Sequence, residues 1–253
     1  MKSFPSFDGV RIAYREWGPA DADVPVVLLH GFVVDGATNW VAPGIVDALV
    51  RAGRRVIVPD ARGHGASDKP HDPAAYGETR MARDLAGLTD VVGAERFDLV
   101  GYSMGAVVSL LAAAAGQPLR RLVVAGVGAG IVELGGLDTR ALPPQEVAAA
   151  LLAEDPAQAA TSAAAPMRML ADAVGADRRA LAAQVGMAHQ EPIGLERISV
   201  PTLVLCGGED ALAQRPEVLA KAIPDAELRV VPGDHLGAVR DPGFTAAIVE
   251  FLA

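Results

Sequence analysis

Short apolar runs alternate along the chain with segments that have the composition and length of helices. The run Val10–Trp17 alternates apolar and polar residues with a period of two, which is typical of a strand with one exposed face. Continuous apolar runs, which indicate strands buried on both faces, are Pro25–Gly31, Arg54–Asp60, Phe97–Tyr102, Arg120–Gly126, Pro201–Gly207 and Glu227–Gly233. Helices are predicted between them at Ala42–Ala52, Gly77–Val92, Met104–Ala115, Gln214–Ile223 and Gly243–Leu252. This alternation predicts an α/β protein with a mostly parallel central sheet and helices on both faces.

The alternation is interrupted once, between about Ile131 and Pro192. This segment contains no strand-like run and is rich in alanine, and three of its stretches favour short helices: QEVAAALLAED, APMRMLADAV and RRALAAQVGMAHQ. We therefore expect two parts in the chain. Residues 1–130 and 193–253 are predicted to form the α/β core, and residues 131–192 an inserted helical unit.

Composition limits the classes of partner. The chain has 253 residues, of which 51% are hydrophobic, and a net charge of −9. No basic surplus exists to neutralise phosphates, which argues against a nucleic acid or an anionic membrane as partner and leaves a small-molecule substrate. The uncharged stretch Leu99–Leu119 has the length of a membrane span, but three glycines interrupt it. A buried strand followed by a buried helix is the better interpretation.

Neither a metal site nor a cofactor site is indicated. The single cysteine, Cys206, excludes an internal disulfide and any multi-cysteine cluster, and the five histidines lack the spacing of metal ligands. No dinucleotide-binding glycine pattern occurs, so no cofactor is predicted. The first residues lack the apolar run of a secretion signal, which leads us to expect a cytoplasmic protein. The sequence leaves a monomer and a homodimer open.

The stretch LVGYSMGAVV, residues 99–108, places one hydroxyl between two glycines where a strand turns into a helix. Gly101-Tyr102-Ser103-Met104-Gly105 matches G-x-S-x-G in the strand–turn–helix context that a nucleophile elbow requires. Ser103 would then stand at the edge of the sheet, with the N–H of Met104 directed at a developing oxyanion. The alternative is a glycine-lined turn with an incidental serine.

A serine nucleophile needs a base and an acid. His235 is the predicted base, because it follows the last predicted strand on a loop that can reach the same sheet edge. Asp210 follows the preceding strand and is the predicted acid that would orient His235, with Glu209 as the fallback. Asp234 is expected to be a surface carboxylate.

The remaining part of the predicted site is a second donor to the oxyanion. The stretch His30–Phe32 follows a strand and opens a loop, so the N–H of Phe32 is the expected partner of the Met104 N–H. His30 itself is expected to brace this loop by hydrogen bonds.

The motifs HGF, DARGHGASD, GYSMG, GGEDAL and GDHLG occur in the order and at the separations seen in the α/β-hydrolase family. The chain resembles a small bacterial esterase-like member with a serine nucleophile and a helical cap. That resemblance implies that Ser103, Asp210 and His235 form a triad, that Phe32 and Met104 form the oxyanion hole, and that residues 131–192 are a cap over the pocket.

Three features depart from the family pattern. The loop after HGF lacks the second glycine of many relatives, and the predicted cap has no aromatic residue. Haloalkane dehalogenase-like and epoxide hydrolase-like members carry an aspartate where this chain has Ser103, so an alkyl-enzyme mechanism is not expected.

The function predicted on this basis is hydrolysis of a small, apolar ester through an acyl-enzyme on Ser103. Tyr102, Met167 and Met169 are expected to contact the substrate, although packing within the cap would also explain both methionines. Cleavage of a C–C bond, a lactone or a thioester, or perhydrolysis, would use the same triad and is an alternative. A ligand-binding protein without catalysis on the same fold is another.

Overall fold

The computed structural model describes residues 1–155, 159, 162 and 164–253. In this part of the chain, eight strands form one sheet in the order β1-β2-β4-β3-β5-β6-β7-β8. The strands are β1 (Lys2–Pro5), β2 (Arg11–Trp17), β3 (Val26–Leu29), β4 (Val56–Pro59), β5 (Phe97–Tyr102), β6 (Leu119–Ala125), β7 (Thr202–Gly207) and β8 (Ala226–Val231). β2 pairs antiparallel with both β1 and β4, and every other pair is parallel. The mostly parallel sheet predicted from the sequence is confirmed.

Helices cover both faces of this sheet. The α-helices of the described residues are α1 (Ile45–Arg51), α2 (Glu78–Val92), α3 (Met104–Ala114), α4 (Ala129–Leu134), α5 (Pro144–Leu152), α6 (Ala165–Ala173), α7 (Arg178–Val185), α8 (Pro216–Ala222) and α9 (Pro242–Phe251). Buried residues of α2, α3 and α8 pack in one apolar cluster, and those of α1 and α9 pack in another. The two clusters lie on opposite sides of the sheet, as the predicted fold class requires.

The central strand β3 is apolar throughout because both of its faces are covered. In β3, Val26 and Leu28 pack with α1 and α9, whereas Val27 packs with α2 and α3. The same alternation separates Val100 from Leu99 in β5, whose six residues are all buried. Successive side chains of a strand point to opposite faces, so a strand between two helical layers has no face exposed to solvent.

β1 was not predicted. It is an edge strand of four residues in which only Phe4 is buried. A single inward apolar side chain gives no measurable periodicity, and the strand exists because it pairs with β2.

The uncharged stretch from Leu99 to Leu119 runs through β5, the turn at Ser103, and α3 before it reaches β6. No helix among the described residues is long and apolar enough to cross a bilayer.

Between β6 and β7 the chain forms α4 to α7 and no strand of the sheet within the described residues. We call residues 131–192 the helical insertion, as bounded in the sequence; residues 156–158, 160, 161 and 163 lie outside the described residues. Its own apolar cluster includes Val147, Leu151 and Leu181, together with several alanines and Val33 of the core. The insertion therefore packs directly on the loop that follows β3.

Candidate active site

The turn between β5 and α3 is tight and strained. Ser103 has φ 52° and ψ −113°, a conformation that residues other than glycine rarely adopt. A Cβ atom at Gly101 would lie 2.2 Å from the Gly105 carbonyl oxygen, and one at Gly105 would lie 2.3 Å from the Leu29 carbonyl oxygen. Both flanking positions therefore require glycine, because α3 begins in close contact with β3 and β5.

Three side chains from the ends of three strands meet at this turn. His235, after β8, has its Nε2 3.0 Å from the Ser103 Oγ and its Nδ1 2.8 Å from the Asp210 Oδ2. Asp210, after β7, is 1% exposed and also accepts the Leu212 N–H through Oδ1. Because a carboxylate only accepts, the Nδ1–H of His235 donates to Asp210, and Nε2 is left to accept the Ser103 O–H.

The two neighbouring carboxylates lie elsewhere. Glu209 is exposed, and its backbone N–H donates to the Gly233 carbonyl oxygen. Asp234 is also exposed and accepts the N–H groups of Leu236 and Gly237, so it caps the loop that carries His235. Of these carboxylates, only Asp210 contacts the imidazole.

Tyr102 ties the serine turn to the histidine loop. Its hydroxyl donates to the backbone carbonyl of His235, and the two rings lie with centroids 5.3 Å apart. A Cβ atom at Gly126 would lie 2.9 Å from Tyr102 Cζ, so the tyrosine ring fills the space that glycine leaves. Burial raises the pKa of Tyr102, which keeps its hydroxyl protonated as a donor.

The loop after β3 lies against the serine turn. A Cβ atom at Gly31 would be 3.5 Å from the Ser103 Cβ, and the Gly31 N–H donates to Asn39 Oδ1 at 2.9 Å. Within the described residues, neither the backbone N–H of Phe32 nor that of Met104 has a hydrogen-bond acceptor. Two free donors thus stand on the two segments that approach Ser103.

Two buried histidines hold this loop in place. His30 accepts the Ala61 N–H at Nε2 and donates from Nδ1 to the Gly31 carbonyl, 2.8 Å away. His64 accepts the Val33 N–H at 3.2 Å and donates to the Arg62 carbonyl. Burial lowers the pKa of both imidazoles, that of His64 to about 3, so both are neutral at pH 7.

The bracing role of His30 agrees with the sequence prediction, but the role of His64 was missed. The residue that His64 holds, Val33, has φ 75°, which is an unusual conformation for a β-branched side chain. The hydrogen bond from Val33 to His64 therefore helps to fix the backbone directly after Phe32. The only signal in the sequence was the position of His64 in the motif DARGHGASD.

A family model for the alpha/beta hydrolase fold matches residues 24–169, more than half of the chain. The chain belongs to the α/β-hydrolase family.

The names of proteins similar to this α/β hydrolase refer to several different activities. The mouse protein "sn-1-specific diacylglycerol lipase ABHD11" is 30% identical over an alignment of 259 positions, gaps included, which covers 92% of this chain and 82% of that protein. "Epoxide hydrolase A" of Mycobacterium tuberculosis is 45% identical over 101 residues, but these span only 40% of this chain and 30% of that enzyme. A crystal structure of a hydrolase from Pseudomonas aeruginosa PA01 superposes with a TM-score of 0.81 at 29% identity, covering 100% of this chain and 98% of that one.

A cavity of about 140 Å³ opens in front of Ser103 and His235 in this α/β hydrolase. The core contributes Phe32 and Tyr102 to its walls, and most of its other lining side chains are aliphatic. Those from the helical insertion are Leu137, Leu142, Met167 and Leu170. Among the described residues, no group of three or more His, Cys, Asp or Glu side chains is placed to hold a metal ion.

Of the three residues predicted to contact substrate, the structure brings two to this cavity. Tyr102 and Met167 line it, whereas Met169 is 71% exposed and lies outside it. Residues that are two positions apart in an α-helix point about 200° apart around its axis. Met167 and Met169 therefore cannot share a face of α6. Met169 therefore lies outside this cavity, and its contact with substrate stays a prediction.

Proposed function

We propose that this protein is a serine hydrolase that cleaves a small, mainly apolar ester through an acyl-enzyme formed on Ser103. One observation carries the proposal: a continuous chain of hydrogen bonds runs from Asp210 through His235 to the Ser103 hydroxyl, which opens on an apolar cavity. A serine hydroxyl becomes a useful nucleophile when an adjacent base takes its proton, and a buried acid orients that base.

In the first half-reaction, Ser103 Oγ attacks the ester carbonyl carbon while its proton passes to Nε2 of His235. Asp210 accepts the Nδ1–H throughout and stabilises the imidazolium. The N–H groups of Phe32 and Met104 are free to donate to the carbonyl oxygen as it becomes negative. Removal of one such donor costs about 3–4 kcal/mol of transition-state stabilisation in enzymes of this type.

Collapse of the tetrahedral intermediate releases the alcohol. The leaving oxygen takes the proton from Nε2 of His235, and the acyl group stays on Ser103. A water molecule then attacks the acyl carbon and gives its proton to the same nitrogen. When the second intermediate collapses, that proton returns to the Ser103 oxygen, and the carboxylic acid leaves.

A carbonyl substrate fits this machinery better than an epoxide. Attack of Ser103 on an epoxide would form an ether, which has no electrophilic carbonyl for water to attack, and the enzyme would not turn over. The likeness to an epoxide hydrolase over 101 residues is therefore assigned to the shared fold. The aliphatic walls favour a short acyl or alkyl group.

The test combines a fluorophosphonate probe with a panel of p-nitrophenyl esters, lactones, thioesters and diketones. We expect the wild type to be labelled and to hydrolyse short esters. Ser103→Ala should be unlabelled, with kcat lower by about 10⁵- to 10⁶-fold at an unchanged Tm. Ser199→Ala, on the exposed surface, is the matched control. A wild type that is not labelled would favour a ligand-binding protein, and diketone cleavage with little ester turnover would favour C–C hydrolysis.

A further inference from the structure

A second, smaller cavity adjoins the first, between the core and the helical insertion. Its volume is about 70 Å³, and the two cavities have lining residues in common: Phe32, Leu137, Leu142 and Leu212. Met104, whose N–H is one of the two candidate oxyanion donors, also lines it. A substrate held at Ser103 therefore lies next to this second cavity.

Most of the walls of the second cavity are apolar, but three nearly buried polar side chains line it. Gln184 on α7 is 4% exposed, and Glu78 at the start of α2 is 5% exposed. Glu78 Oε2 accepts the His189 N–H at 2.8 Å. Asp138 also lines the cavity and is paired with Arg140.

The amide of Gln184 is poorly satisfied by the protein. Its Nε2 donates to the Met104 thioether sulfur, a weak acceptor, and its Oε1 has no hydrogen-bond partner in the described part of the chain. Because the sulfur accepts and cannot donate, the amide is oriented with Oε1 as the free atom. A buried acceptor without a donor is unfavourable for folding, and an apolar side chain of similar size would avoid the cost.

We propose that the second cavity is a subsite for a hydroxyl group of the substrate, with Gln184 Oε1 accepting the substrate O–H. This inference rests on the proposed function and narrows it to hydroxylated esters. The hydroxyl lies either on the acyl chain or on the alcohol half, because both extend from the carbonyl held at Ser103.

A neutral donor fits the subsite better than an ammonium group. A charged group would lose its hydration among apolar walls, and no carboxylate that lines the cavity is fully available to it. Asp138 is held by Arg140, and Glu78 already accepts the His189 N–H. Burial also raises the pKa of Glu78, which weakens its ability to act as a counter-ion.

The test has two arms, and each arm compares three matched substrates at every chain length from four to eight carbons. One arm uses methyl esters of plain, ω-hydroxy and ω-methoxy acids, and the other uses acetates of plain, ω-hydroxy and ω-methoxy alcohols, with acid release followed in a pH-stat. We expect one arm to show a kcat/KM at least tenfold higher for the hydroxy than for the methoxy ester at its best length. The methoxy oxygen cannot donate, so the ratio isolates the hydrogen bond.

Gln184→Leu should reduce that ratio to about one, whereas Gln145→Leu, exposed on α5 of the same insertion, should keep the wild-type ratio. Gln184→Leu should also raise Tm by about 2–4 °C, because an unsatisfied amide is removed from the interior. Gln184→Met tests the same points if the leucine variant does not fold. A lower Tm with an unchanged ratio would show a structural role for Gln184 and overturn the proposal.

The possible failures are distinguishable. A wild type that hydrolyses no ester in either arm overturns the proposed function and the subsite together. A wild type that hydrolyses esters without preferring the hydroxyl in either arm overturns the subsite alone. A preference for ω-amino over ω-hydroxy esters would overturn the assignment of a neutral donor.

Discussion

The core and the helical insertion meet at the candidate active site, and they contribute different side chains to it. The core supplies Ser103, Asp210 and His235, which are joined by hydrogen bonds and held on short loops at the sheet edge. The insertion supplies aliphatic side chains to the same cavity and an interior made largely of small residues. The hydrogen-bonded polar groups of the candidate site thus lie on short loops anchored to the sheet, and much of its apolar wall lies on the added helices.

Among the residues that the structure describes, each side also contains one buried arginine, and the partners of the two arginines differ. Arg62 in the core is 0% exposed and donates to the carboxylates of Asp84 and Asp8 at 2.7–3.2 Å. Arg168 in the insertion is 4% exposed and donates to two backbone carbonyls, those of Ala150 and Ala153, and to Asp172 at the surface. Arg62 is therefore paired mainly with carboxylates, of which Asp84 is nearly buried, whereas Arg168 depends mainly on backbone carbonyls and has its one carboxylate partner at the surface.

If the core carries the reaction, Asp210→Asn should have the largest effect. We expect kcat to fall about 10⁴-fold, because the amide stabilises neither the required tautomer of His235 nor its imidazolium. Steady-state kinetics with a short p-nitrophenyl ester measures the loss. Glu209→Gln, at the adjacent exposed position, should stay within about twofold of wild type, and a greater loss there would move the role of the acid to Glu209.

The two arginines provide the next test. Arg62→Met should lower the free energy of unfolding by about 3–5 kcal/mol, because it leaves the nearly buried carboxylate of Asp84 without its partner. Arg168→Met should cost only about 1–3 kcal/mol, since the groups it leaves are carbonyls and an exposed aspartate. Urea denaturation gives both values. Equal losses would show that the insertion depends on buried charge as strongly as the core does.

Acid should weaken the core through His30 and His64. Their folded-state pKa values lie below the ordinary value of 6.5, that of His64 at about 3, so the unfolded chain binds protons first. Stability should fall as the pH drops below 6.5, by up to about 1.4 kcal/mol per pH unit for each histidine. Urea denaturation between pH 5 and 6.5 measures how steeply the free energy of unfolding changes with pH. His64→Gln should reduce this slope by up to about 1.4 kcal/mol per pH unit, which is the contribution of one proton. An unchanged slope in that variant would contradict the lowered pKa of His64 in the folded protein.

The smallest effect is expected on the insertion side. Met167→Ala should lower kcat/KM for the longest acyl chain that the enzyme accepts by about 3- to 10-fold, because it removes a lining side chain. Met169→Ala on the same helix should leave kcat/KM unchanged, since its side chain is exposed. An effect of Met169→Ala equal to that of Met167→Ala would mean that the substrate reaches the outer face of α6.

The site was predictable where a local pattern dictates the geometry. The turn at Ser103 needs glycine on both sides and lies between an apolar strand and an apolar helix, so residues 101–105 identify it alone. His235 and Asp210 followed from the rule that loops after parallel strands gather at one sheet edge. These features depend on neighbours in sequence or on the order of strands, and both can be read from the chain.

Other features depend on burial, which the sequence does not record. His64 and Gln184 are polar residues that would also suit a solvated loop or helix face, and only tertiary contacts make them buried. His64 packs beside His30 and Phe32 of the core, and Gln184 lies against Met104. The strand β1 likewise depends on a tertiary contact, because it forms by pairing with β2. The different positions of Met167 and Met169 could have been read from the sequence, because the period of a helix puts them on different faces.

The link between Tyr102 and the backbone of His235 does not involve the serine hydroxyl. A Ser103→Ala protein therefore keeps its imidazole and its two free amides in position while losing the atom that attacks. On the proposed function, such a protein would bind intact esters without cleaving them, and soaking its crystals with candidate compounds would trap the one that fits before any bond is broken.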